Sequence, residues 1–388
     1  MDIDTEAALA LVKKLIAIDG VSGEEAEVAA YIEEIARCAG VKKTWITRDS
    51  AHKRSPAGGD CGNLIITLPG TLKKSRIMCS AHIDTVEIAR GSVPAVRGNY
   101  IIPKGDTALG ADNRAGVAVL LCALISVMKN GIPHPPLTFL FTVQEEIGLF
   151  GARYAAVSKF KNPSCCYNVD GDSPRRIVLR APSSSVFYAA VKGKAAHAGQ
   201  HPDAGISAAL ILAKALTEIE RRGIFGHIER KGRKTATSNI GTVSGGTASN
   251  VVMDVLELKG EARSYSQPLL DRIVSVYRTS LEKAARSVKN RDGESGSVEF
   301  SEEQIYTTFS IPAGSPQVKR LVSVLEKLDM VPEYPEIFGG LDANWLSAFS
   351  IPTVTIGAGG RNPHTKGERL YIPDFLNACR VILRLLVT

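Results

Sequence analysis

A chain of 388 residues exceeds the roughly 100–200 residues of one domain, so two domains with a substantial core are expected and a disulfide miniprotein is excluded. Hydrophobic residues at 44% and charged residues at 22% are ordinary for a globular protein, which excludes global disorder and a fibrous repeat. The 47 Lys and Arg against 40 Asp and Glu leave a net +7, a modest excess that favours anionic partners only weakly.

Helical periodicity opens the chain at Ala7–Ile18 and returns at Glu24–Arg37, where Ser22 and Glu25 form a capping-box pattern and Gly40 supplies the stop. Short apolar runs follow at Leu64–Leu68, Arg76–Ala81, Leu137–Val143, Cys166–Val169 and Ile177–Leu179. They alternate with helical stretches at Arg114–Lys129 and Ala152–Phe160, and such alternation predicts an α/β sheet covered on both faces. From about Ser184 the pattern becomes strand Val186–Gly193, helix Ile206–Arg222, strands Ser238–Val243 and Val255–Ser264, helix Pro268–Val288 and strand Ser297–Tyr306. That order, β-α-β-β-α-β, is ferredoxin-like. The tail returns to α/β with helix Gln317–Leu328, a Gly-Gly loop at 339–340, strand Thr353–Ile356 and a last helix from Pro373. A small domain, 184–309, is therefore expected inside a larger one built from 1–183 and 310–388.

Several features speak to partners and compartment. The densest basic cluster, six Lys or Arg between Arg221 and Lys234, contains a single Phe, whereas single-strand binders interleave stacking aromatics with their charges. It reads as a solvated loop, and no nucleic-acid partner is expected. The seven Cys are scattered without a CxxC pair, which argues against a disulfide framework or a cysteine zinc site and for a reducing cytoplasm. An acidic N-terminus and a longest apolar run of only Ala115–Met128 suggest a soluble, untargeted protein with no membrane partner.

Acidic and imidazole residues recur in loops after the apolar runs, where open α/β sheets carry their active sites. The segments are AHIDT at 81–85, LGADN at 109–113, QEEIG at 144–148, NVDG at 168–171 and NPHT at 362–365. Asp84, two residues beyond His82 on the same side, can accept a hydrogen bond from the imidazole nitrogen that faces away from a metal. The adjacent Glu145 and Glu146 would repel each other after an apolar strand unless a cation lay beside them. One of the pair can then coordinate while the other takes a proton from water.

With these segments the chain resembles the peptidase T-like members of the co-catalytic di-zinc exopeptidase family, which also holds carboxypeptidases, aminoacylases and desuccinylases. The resemblance spans nearly the whole chain and adds LGADNRAG at 109–116, EEIGLFGA at 145–152, GKAAHAG at 193–199 and GGLDAN at 339–344. It implies a mixed-sheet α/β catalytic domain with an inserted ferredoxin-like lid and dimerisation domain. His82 and Asp170 would bind one Zn²⁺, Glu146 and His364 a second, and Asp112 would bridge them; Co²⁺ or Mn²⁺ suit the same donors. Glu145 would be general base and acid toward a water held between the ions, with Asp84 orienting His82. His197 would assist at the oxyanion from the lid, Asn250 and Arg263 would bind substrate, and His201 and His227 read as surface residues. A cis peptide is expected at Asp112–Asn113. Relatives often carry Ser or Thr where Leu341 stands, and peptidase T itself has a different loop before its last metal histidine.

The implied activity is removal of the first residue from a short peptide, in a protein that could dimerise through the lid. Carboxypeptidase or N-acyl-amino-acid amidohydrolase activity on the same site is the alternative. A metal- or nucleic-acid-binding protein without catalysis is the distant one.

Overall fold

The computed structural model describes residues 3–230 and 233–387, with the side chains of Arg230, Arg233 and Lys234 outside that description. The chain divides into two compact units. One comprises Met1–Arg180, Phe309–Ile337 and Leu341–Thr388, and the other Ala181–Thr308 with Phe338–Gly340.

The first unit is built on a six-stranded mixed sheet, in the order Ile46–Arg48, Leu64–Leu68, Leu137–Thr142, Ile77–His82, Cys165–Val169 and Thr353–Ile356. The last four run parallel and the first two are antiparallel additions at one edge. Strands buried on both faces read as continuous apolar runs, and Ile77–His82 is buried at every position. Side chains alternate between the faces. Ile77, Cys79, Ala81, Phe139, Phe141 and Tyr167 belong to the larger core with the helices Thr5–Ile16, Ala111–Lys129 and Ile372–Val387. Ile65, Met78, Leu140 and Cys166 pack instead on Phe160, Leu346 and Ile351. The Ala111–Lys129 helix is long and apolar enough to cross a membrane, yet it is largely buried in this core.

A four-stranded antiparallel sheet of Pro94–Arg97, Tyr100–Pro103, Arg369–Tyr371 and Gly360–Arg361 also belongs to this unit. Its two- to four-residue strands are too short to register as periodic runs, so sequence reading misses it. It frames the loop that carries His364.

The second unit is a five-stranded antiparallel sheet, ordered Gly226–Arg230, Arg233–Gly245, Val255–Ser264, Ser183–Lys192 and Ser297–Tyr306. Helices Ala208–Arg221 and Gln267–Ser287 supply its core with Phe187, Val191, Leu256 and Leu258. Gly260, paired with Phe187 across the strands, has no room for a side chain: a Cβ there would lie 2.3 Å from the Phe187 ring.

Several local expectations are corrected. The segment read as a solvated loop between Arg221 and Lys234 contributes an additional edge strand, Gly226–Arg230, hairpinned to Arg233–Gly245; residues 231–232 lie outside the described residues. Ala152–Phe160 is not one helix but a short turn of helix at Phe150–Arg153 and a 3-10 turn at Val157–Phe160. Ile177–Leu179 is not a strand: Val178 makes an isolated bridge to Thr355, and Ile177 donates its N–H to the Glu333 carbonyl at 2.7 Å. The capping box of the second helix does not form. That helix runs Ala26–Cys38 without a cap from Glu25, and Asp60 accepts the N–H groups of Glu25 and Ala26 instead. Ser22 and Glu25 turn inward, for a reason that appears at the site.

Candidate metal centre

The four parallel strands end on one rim of the sheet, where ligands of open α/β sheets bind. His82 is the last residue of its strand, Gln144–Glu146 follow Leu137–Thr142 and Asp170 follows Cys165–Val169. Asp112 enters from the start of the Ala111–Lys129 helix, at a kink where the Asp112–Asn113 peptide is cis as expected. His364 comes from the turn between the two last short strands.

These residues meet. His82 Nε2 lies 3.2 Å from Asp112 Oδ1 and 3.9 Å from Asp170 Oδ1. His364 Nε2 lies 2.9 Å from Glu146 Oε1 and 3.6 Å from Asp112 Oδ2. Asp112 therefore turns one carboxylate oxygen to each histidine. The groups His82–Asp112–Asp170, His82–Glu145–Glu146 and Asp112–Glu146–His364 each gather their donor atoms within 4.8 Å.

Asp84 ties the rim together. Its main-chain carbonyl lies 3.2 Å and its Oδ1 3.4 Å from His82 Nδ1, so backbone and side chain together hold the proton on Nδ1 and leave Nε2 to face the cluster. The same carboxylate accepts the N–H groups of Glu145 at 3.0 Å and Glu146 at 3.1 Å, and the Ser22 hydroxyl at 2.6 Å. Burial alone would raise the Asp84 carboxyl, but His82 above all, followed by the Ser22 hydroxyl and the Glu145 N–H, holds it below the ordinary carboxylate range. The inward turn of Ser22 thus completes the support of the Glu-Glu loop rather than a helix cap.

The electrostatics of the cluster favour a cation among its donors. Burial, followed by the neighbouring carboxylates, pushes Asp170 up to about 8 and Glu145 well above the usual range; burial also raises Glu146. Burial would lower His82, but its contacts with Asp112 and Asp84 hold it well above its ordinary value. The Glu146 contact lifts His364 to about 9. Three raised acids and two raised imidazoles thus compete for protons at this rim, and a divalent cation in place of those protons would relieve the repulsion. Mixed imidazole and carboxylate donors suit zinc, cobalt or manganese.

Sequence reading misses several supports. Glu368, buried, accepts the N–H of Gly110 at 2.7 Å and of Asp112 at 2.9 Å. Glu25, also buried, accepts the N–H of Gly23 at 2.9 Å and of Gln144 at 3.0 Å, fixing the entry to the Glu-Glu loop; burial and the Asp84 charge raise it to about 8. Arg114, buried in the helix after Asp112, donates to the carbonyl of Gly20 at 3.0 Å and faces the charges of Asp84 and Glu25. Asp342, within the GGLDAN segment, is buried and accepts the Thr142 hydroxyl. Asp342, Arg114 and Glu368 lie in or just after motifs already singled out, and Glu25 enters the sequence reading only as half of a capping-box pattern.

The remaining candidates belong to the second unit. His197 is exposed, and its Nδ1 accepts the N–H groups of Gly199 and Gln200 at 3.2 and 3.1 Å. That fixes the neutral ring with its proton on Nε2. Asn250 is exposed and its carbonyl accepts the Ala198 N–H at 2.9 Å. Arg263 donates to the Phe338 carbonyl at 2.9 Å and to Glu261 at 3.0 Å, so its guanidinium is already engaged on two sides. His201 and His227 are exposed.

Residues 78–388 match the model of peptidase family M20/M25/M40. The protein YqjE of Bacillus subtilis strain 168 is 31% identical over 374 residues, 96% of this chain and 95% of that one. The crystal structure of aminopeptidase PepT from Bacillus cereus superposes with a TM-score of 0.88 at 29% identity, covering 99% of this chain and 98% of that one. A tripeptidase from Staphylococcus aureus gives a TM-score of 0.90 at 29% identity, covering 100% and 99%.

Proposed function

The chain belongs to peptidase family M20/M25/M40 and is a metallo-exopeptidase, and from that premise we propose that it is an aminopeptidase acting on short peptides with two metal ions. The observation that carries the reading is Asp112, whose two oxygens face His82 and His364 at 3.2 and 3.6 Å. In this proposal His82 and Asp170 would hold one ion, Glu146 and His364 the other, and Asp112 would serve both; zinc is the ion the donor set favours. When bound, such a pair supplies Lewis acidity, polarising the scissile carbonyl and acidifying water.

The chain's own residues do the rest. Glu145, which this proposal leaves without a coordinating role, accepts the proton of the attacking water and returns it to the leaving amine. Its raised affinity for protons, caused by burial, is relieved by a nearby cation and leaves a carboxylate able to shuttle a proton near neutral pH. Asp84 keeps His82 oriented and anchors the backbone of Glu145 and Glu146. Seven free cysteines, six of them buried, support a reducing, cytoplasmic setting.

The test is a panel of di- and tripeptides with free and blocked amines, together with N-acyl amino acids, given to the metal-loaded protein with products read by mass spectrometry. Release of first residues from free-amine peptides alone supports the proposal. Cleavage of blocked substrates alone assigns an acylase or carboxypeptidase.

A further inference from the structure

A cavity of about 400 Å³ lies beside Asp112 and Asp170, within the first unit. That volume falls in the lower part of the ~300–1,000 Å³ range of small-molecule pockets. Gly171, Gly357 and Gly360 contribute to its lining. Gly357 cannot be replaced cheaply, since a Cβ there would lie 2.4 Å from the Ser173 nitrogen. Its apolar wall is Val178, Pro335, Ile337 and Leu341.

Several of the polar groups around this wall already have partners. Arg176 pairs with Asp172, and Arg361 pairs with Asp374. Asn113 spends its amide on the Val169 carbonyl at 2.8 Å and on the Gly116 N–H at 3.1 Å. A polar or charged side chain laid against Val178, Pro335, Ile337 and Leu341 would lose water without gaining a partner from that wall, which is costly. An apolar one would be buried at no such cost.

An aminopeptidase leaves a single residue on the amine side of the bond it cuts, so the protein must meet that residue's side chain directly beside the metal donors. The cavity touching Asp112 and Asp170 answers that requirement. Resting on the aminopeptidase reading, we propose that this cavity receives the side chain of the substrate's first residue and selects neutral apolar ones, with Val178 and Leu341 as specificity-determining walls.

Two tripeptide series test this on the metal-loaded protein, X-Gly-Gly and Gly-X-Gly, with X as Leu, Phe, Ala, Ser, Asp or Lys. The readout is kcat/KM for release of the first residue. One missing methylene in an apolar pocket is worth roughly 10–200-fold, so Leu should exceed Ala by at least ~10-fold in the first series, and Ser, Asp and Lys should fall below Ala. The second series should vary far less. Val178→Thr, nearly the same shape with one methyl replaced by a hydroxyl, and Leu341→Thr should each shrink the Leu-to-Ala ratio by about 5-fold or more. Thermal melts confirm that both variants fold, and the wild-type series decides the matter if one does not. Release of first residues without selectivity, a preference for charged X, or selectivity confined to the second position overturns the pocket assignment while the aminopeptidase reading stands. An unchanged ratio in both folded variants overturns the assigned walls. No release of any first residue overturns both readings together.

Discussion

The carboxylate of Glu368 accepts the backbone N–H of Asp112 at 2.9 Å across 256 residues of chain, and takes the Gly110 N–H with its other oxygen at 2.7 Å. One buried side chain thus clamps both sides of the loop that presents the proposed bridging carboxylate. Groups that support metal ligands in this way typically change metal affinity by about 10–100-fold when lost. Glu368→Ala leaves two buried N–H groups without acceptors, at a cost of roughly 1–3 kcal/mol each. Chelator competition should therefore register weaker metal binding in Glu368→Ala, and denaturant melts a lower stability. Full metal affinity in the folded variant would reduce Glu368 to a structural role.

Glu145→Gln preserves size but cannot accept a proton. Turnover should fall by about 10²–10⁴-fold while two metals stay bound. Glu146→Gln should instead lose metal, because Glu146 and His364 share one cluster. Metal stoichiometry and turnover measured on both variants separate these roles. Loss of metal in Glu145→Gln with full stoichiometry in Glu146→Gln would exchange the assignments.

Replacing His82 with Ala or Asp170 with Asn should remove one metal and leave the fold standing. Both residues sit at the rim, above a sheet with apolar cores on each face. Metal content should drop while circular dichroism and the melting transition of the metal-free protein remain cooperative. If the metal-free protein is unfolded, the ions are structural.

Glu25 makes stability depend on pH. Its carboxyl is raised from 4.5 to about 8, first by burial and then by the Asp84 charge. A group with a raised folded-state value contributes stability fully below its unfolded value, and that contribution is lost as pH rises through the folded value. In metal-free protein the loss attributable to Glu25 should therefore run from about pH 4.5 to pH 8. Glu25→Gln keeps an oxygen for the Gly23 and Gln144 N–H groups but does not ionise. Its stability relative to the wild type, from urea melts at pH 5 to 9, should rise across that window and level off above it. A pH-independent difference would show that Glu25 does not titrate there.

Much of this protein is determined locally. Apolar runs such as Arg76–Ala81 and Leu137–Val143 announce buried strands by composition, because a strand covered on both faces is predominantly apolar. The residues that follow them, His82, Glu145, Glu146 and Asp170, stand out because polar groups at the end of an apolar strand need a reason to be there. Sequence position could therefore assign the candidate donors. The basic stretch from Arg221 to Lys234 misled for the same reason: an edge strand needs only one buried face, and its charges concealed the pairing of Gly226–Arg230.

What only the tertiary structure decided is how those donors are held. Glu368 reaches Asp112, Glu25 reaches the Gln144 N–H from 119 residues away, Asp60 rather than Ser22 caps the second helix, and Asp84 spends its oxygens on three partners of the rim. A lone carboxylate in a loop carries no periodicity, and its partner is a backbone N–H that every residue but proline possesses. Such contacts are set by which loops the folded sheet brings within 3 Å of one another, and the amino-acid sequence contains no local record of that distance.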